Sequence, residues 1–148
     1  MVNLLLTKSG LKSDGKDSPK ATILHSGQFE NSPLKQSKIP PTITTIEDNV
    51  FKNSQLKEIV IPDAVKSIGA NVFQNCSKLK SVTLPKSLNT ICAGFFSGCS
   101  SLEKITIPST VTSIGNRAFA NCKSLKRIII PSSVTTIGDE AFYGCKFF

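Results

Sequence analysis

Apolar positions return along this chain with a long, fixed period instead of the short periods of a lone strand or helix. Pro62, Pro85, Pro108 and Pro131 stand 23 residues apart, and the residues around them keep step. "IPSTVTSIGNRAFANCKSLKRII" at 107–129 overlays "LPKSLNTICAGFFSGCSSLEKIT" at 84–106 and "IPSSVTTIGDEAFYGCKFF" at 130–148. The unit from Pro40 to Ile61 is one residue shorter, and "FENSPLKQSKIP" from Phe29 matches "FKNSQLKEIVIP" from Phe51 at an offset of 22. Such self-similarity marks a repeat array, in which each unit is too small to bury its own apolar face and presses it on its neighbours.

Each column of the repeat predicts an element. Phe29, Phe51, Phe73, Phe96, Phe119 and Phe142 share one column, so six of the nine phenylalanines form a stacked spine. Ile43, Val65, Leu88, Val111 and Val134 form a second column, and Ile46, Ile68, Ile91, Ile114 and Ile137 a third. Their β-branched bias predicts a short extended segment. Leu79, Val82 and Leu84 recur as Leu102, Ile105 and Ile107 and as Leu125, Ile128 and Ile130. They predict a second short strand, ended by the proline that follows and cannot donate a hydrogen bond. Between the strands "IGNRAFANC" predicts a turn of helix opened by Gly115 and closed by Asn121. The closing column holds Asn31, Asn53, Asn75, Gly98 and Gly144, residues that tolerate positive φ.

The recurring "IPxxVTxIGxxAFxxCxxL" resembles the BspA-like, or treponemal-type, leucine-rich repeat over residues 40–148, weakly over 18–39 and not over 1–17. That resemblance implies an α/β repeat solenoid: a right-handed array of about 23-residue units with short parallel strands on its concave side and short helical turns. Residues 1–17, "NLLL" followed by a polar, glycine-bearing stretch, read as a flexible tail or partial cap. Residues 18–39 read as a degenerate first repeat, and 40–148 as the solenoid, ending mid-repeat.

Composition adds a charge. There are 18 Lys and Arg against 10 Asp and Glu, a net charge of +8, with no Trp and one His. No apolar run approaches a membrane span, and "VNLLL" at 2–6 is too short for the core of a secretory signal, so no signal peptide is expected. Cys76, Cys99, Cys122 and Cys145 occupy one column that holds Ser32 and Ser54 in earlier units. That exchange asks for a small side chain whose hydroxyl or thiol bonds the neighbouring backbone. No closely paired metal ligands occur, and no cofactor is expected. Cys92 stands where its neighbours have Gly69, Gly115 and Gly138. His25, the single histidine, falls in the same column with no nucleophile or carboxylate set beside it, and the glycines recur once per unit as architecture. An enzyme is not expected.

What remains is surface. The outward residues of the second strand are Lys57, Glu58 and Val60, then Lys80, Ser81 and Thr83, then Glu103, Lys104 and Thr106, then Lys126, Arg127 and Ile129. Cations outnumber anions there, which predicts a basic strip for an acidic protein partner or an anionic membrane surface. A solvated face also carries charge for solubility alone. Exposed aromatics for base stacking are nearly absent, which ranks nucleic acid low. Three classes stay open: a protein-binding scaffold, cytoplasmic or tethered to the plasma membrane; a cell-surface adhesin, as many of the proteins it resembles are thought to be; and a polyanion or nucleic-acid binder. Two further expectations concern the last unit. Phe142, Phe147 and Phe148, beside an unpaired edge of the strand from Leu125 to Ile130, predict end-to-end homodimers. "CKFF" matches a prenylation pattern on Cys145, although Lys146 is not the usual aliphatic residue, and the competing reading makes Cys145 one more rung of the column.

Overall fold

The computed structural model describes residues 21–147. The tail predicted over 1–17, the start of the first repeat and Phe148 lie outside them. Eight short strands follow in order: β1 Ile23–Leu24, β2 Thr45–Ile46, β3 Glu58–Val60, β4 Ser67–Ile68, β5 Ser81–Thr83, β6 Thr90–Ile91, β7 Ser113–Ile114 and β8 Thr136–Ile137. All pair in parallel, each with its counterpart one repeat away. β1, β2 and β4 form one sheet at 22-residue offsets, β6, β7 and β8 another at 23, and β3 pairs with β5 on the second ladder. The unit at 18–39 is degenerate in sequence yet takes part in the ladder, with Ile23 opposite Thr45.

The phenylalanine column is the core. Phe29, Phe51, Phe73, Phe96, Phe119 and Phe142 stack in succession with ring centroids 5.4–5.7 Å apart. Around it the inward strand residues, among them Ile46, Ile59, Ile91 and Leu102, are buried.

The turn segments are not helical, and no helix occurs among the described residues. Asn121, Asn53 and Asn75 do take positive φ, as expected, but a second left-handed residue lies four positions earlier, at Arg117, Asn49 and Asn71. A left-handed residue inside the segment breaks the helical path. The hydrogen bonds show what is gained instead. Asn49, Phe51 and Asn53 donate their N–H to Ala70, Val72 and Gln74 of the next unit at 2.8–3.0 Å, while Lys52 and Ser54 close turns on Asn49 and Phe51. Every second amide is thus spent between units, where a helix would keep it within one.

A seam separates the third and fourth units, since β4 and β6 belong to different sheets. Cys92 is the cause. At Gly69 and Gly115 a Cβ would come within 3.0 Å of the backbone of the preceding unit; at Gly115 it would meet Ala93 N at 2.6 Å. Gly69 and Gly115 therefore approach closely enough to donate to Ile46 and Ile91 oxygens at 2.8 and 2.7 Å, whereas at position 92 the thiol takes over and donates to Ile68 O at 3.2 Å. Phe95 adds bulk at the same seam, tilted against Phe73 and Phe96 in a column that holds Gln28 in the first unit and valine or alanine in the others. Gly115→Ala is accordingly expected to cost about 1–3 kcal/mol by overpacking, read as an earlier denaturant midpoint.

The second ladder corrects one expectation. Strands were predicted over 102–107 and 125–130, but pairing fades after β5. Lys57 N bonds Lys35 O and Lys80 N bonds Lys57 O, both at 2.8 Å; Glu103 N reaches Lys80 O only at 3.4 Å. The stretches beyond carry no ladder, although every pair of neighbouring units from the second to the fifth is held together on the turn side, across the seam through Asn71, Phe73 and Asn75.

Candidate functional site

β3 and β5 alternate exposed, buried, exposed, with Ile59 and Val82 inward. Lys57, Glu58, Lys80, Glu103, Lys104, Lys126 and Arg127, the residues singled out in the sequence, are all exposed. The backbone bonds from Lys57 to Lys35, Lys80 to Lys57 and Glu103 to Lys80 set Lys35, Lys57, Lys80 and Glu103 in one row. Neighbouring strands sit about 4.8 Å apart, so three lysine stems stand side by side. Among the described residues the ion pairs are His25–Glu47 at 3.6 Å and Arg117–Glu140 at 2.6 Å, so no charge of the row is neutralised by a neighbour at ion-pair distance. Sequence reasoning missed Lys35, although "PLKQ" over "QLKE" carried the signal, and Gln36 bridges to Glu58 beside it.

His25 is exposed and stands apart from this face, and the expectation that no carboxylate lies beside it is corrected: the stacking of the column brings Glu47 Oε1 to 3.6 Å from its Nδ1. Among the described residues no group of histidine, cysteine or carboxylate side chains could hold a metal, and no helix is long and apolar enough to cross a membrane.

The cysteines form the expected ladder and are free thiols. Cys76, Cys99, Cys122 and Cys145 donate to the carbonyls of Phe51, Phe73, Phe96 and Phe119 at 3.0–3.2 Å, and Ser54 lies 3.3 Å from Cys76 Sγ. Cys145 is thus placed as a rung of the ladder, half-buried where the others are enclosed. Burial pushes the thiols of Cys76, Cys92 and Cys99 above their ordinary range. The contact between Cys122 and Cys145, aided by burial, raises Cys122, while the same contact lowers Cys145. Thiolate is the reactive form, so iodoacetamide is expected to label Cys145 first in the native protein, faster as pH rises toward the ordinary thiol range. Cys92 should follow, and Cys76, Cys99 and Cys122 should react only after denaturation, as peptide masses would show.

At the last unit Phe147 lies edge-on to Phe142 at 5.6 Å, so both rings are half-buried and cover one another. Ile137 and Tyr143 are the large apolar side chains exposed there.

Parallel two- and three-residue strands stacked unit on unit around an aromatic spine define the class: a leucine-rich-repeat solenoid. The chain belongs to the BspA type leucine-rich repeat family, whose model matches six copies over residues 22–148. It is similar to a leucine-rich repeat protein from Bacteroides ovatus, with 33% identity and a TM-score of 0.82 over 84% of this chain and 33% of that one. A leucine-rich cell surface protein from Faecalibacterium prausnitzii is 38% identical with a TM-score of 0.75, over 78% of this chain and 31% of its own. The pneumococcal vaccine antigen PcpA is 29% identical with a TM-score of 0.70, over 76% of this chain and 29% of its own. The chain therefore spans about a third of the length of these structural relatives. No curated protein matches it.

Proposed function

We propose that this chain is a non-enzymatic recognition scaffold that holds an acidic protein partner on the exposed face of β3, β5 and the segments 103–106 and 126–129. One observation carries the reading: a row of lysines, exposed, stacked at strand spacing and left without ion-pair partners among the described residues. Like charges held side by side repel one another, and an acidic surface relieves that repulsion and is steered to it. A second reading places the same binding at a cell surface. It is favoured by the similarity to the Faecalibacterium prausnitzii protein, which is described as a cell surface protein. Nucleic acid is disfavoured because the aromatic rings are committed to the spine, Tyr143 being the exposed aromatic among the described residues.

The test is a titration of equal-length acidic, neutral and basic peptides against the protein and against the variant with Lys80, Lys104 and Lys126 changed to Glu. Preference for the acidic peptides, inverted in the variant, is the expected outcome. Equal binding of all three by both proteins would contradict the proposal.

A further inference from the structure

The strand face is closed at β3 and β5 and open one unit further on. Among the described residues, no backbone N–H or C=O of residues 104–107 or 126–130 has a hydrogen-bond partner. Between these two extended stretches runs a groove of about 340 Å³, floored by Ile105, Ile107, Ile128 and Ile129 and rimmed by Lys104 and Arg127. Ile129 is 81% exposed, against 9% for Ile105, so the floor rises into solvent on one side. Backbone groups not bonded within the chain are free to bond an extended segment, which supplies both donors and acceptors.

We infer that this groove binds an extended segment of the partner in which apolar residues alternate with aspartate or glutamate. Successive side chains of an extended peptide point to opposite sides, so one set fills the isoleucine floor while the other faces outward. The long stems of Lys104 and Arg127 reach up over the rim to the outward carboxylates. The peptide backbone takes the unspent N–H and C=O groups along the walls. This deepens the acidic-partner reading and rests on it, adding where the partner is gripped and in what conformation.

A fluorescein-labelled peptide of eight alternating aspartates and valines is the probe, with a second peptide carrying proline at the valine positions. Ile129→Asp changes an exposed residue of the groove, and Lys80→Glu changes the lysine row outside it; circular dichroism checks that both variants fold. Ile129→Asp is expected to weaken the first peptide by at least roughly tenfold, through lost apolar burial and like-charge repulsion. The proline peptide should bind more weakly for want of N–H groups, and bound peptide should slow amide exchange within 104–107 and 126–130. If Lys80→Glu weakens binding while Ile129→Asp does not, or if protection appears elsewhere, the groove is wrong and the lysine face stands. Absence of binding to the unaltered protein also overturns the groove. The acidic-partner reading falls separately, if the peptide binds and neither charge variant changes its affinity.

Discussion

Replacing Phe96 by alanine is expected to lower stability by about 3–5 kcal/mol, a loss matched in the spine by Phe73, which is as buried and also meets three rings. Phe96 is fully buried and touches three rings: Phe73 at 5.7 Å, Phe95 at 4.8 Å and Phe119 at 5.4 Å. Beyond the apolar area, each such ring pair contributes about 0.5–1.5 kcal/mol. The cavity cannot collapse easily, because the backbones on either side are fixed by the bonds of Phe73 N to Phe95 O and Phe96 N to Ala118 O. Domains of this kind hold about 5–15 kcal/mol in all, so the variant should melt far earlier or fail to accumulate. Phe142→Ala, at a half-buried end of the stack, should cost clearly less. Denaturant midpoints measure both, and equal losses at the two positions would show that the spine is not the core.

The second large effect concerns binding. Changing Lys80, Lys104 and Lys126 to Glu takes the net charge from +8 to +2, two units for each exchange. All three are exposed, and substitutions at such positions usually shift stability by no more than about 0.5 kcal/mol. Binding should respond quite differently. An acidic partner would then face like charges at close range, a juxtaposition that costs several kcal/mol, so affinity should fall by about a hundredfold or more. The unaltered protein should bind faster at low salt than at high salt, since steering between exposed charges is screened. The variant should lose that dependence.

Much of this fold could be read from the repeat itself. The columns of Phe51, Ile46 and Cys76 place the spine, the two-residue strands and the thiol ladder, because a residue type recurring once per unit reports one structural slot several times over. The helical turn was misread because its inner left-handed position holds Asn, Gly, Arg or Glu, and Arg117 and Glu140 hide a conformation that only their neighbours Asn71 and Gly94 betray. The seam was invisible for a related reason. Cys92 looks like a tolerated exchange for glycine, as Glu47 is in the same column, and only the structure shows its thiol, not a ladder amide, bonding Ile68 O. For the candidate face, exposure of Lys104 followed from alternation with Ile105, while Lys57 and Lys80 lie just ahead of β3 and β5, and the groove between 104–107 and 127–131 arises from ladder bonds that fail to form. No column encodes that failure.

Recognition through the strand face is tested most directly by position-specific cross-linking in the cells from which the protein comes. A photoreactive residue placed at Thr83 or Thr106, both exposed on that face, is compared with one at Lys123, exposed on the turn side. A discrete cross-linked partner with an acidic surface is expected from Thr83 and Thr106, absent from Lys123, and lost when Lys80, Lys104 and Lys126 are changed to Glu. The same partner captured from Lys123 alone, or captured undiminished by the charge-reversed protein, would contradict recognition through this face.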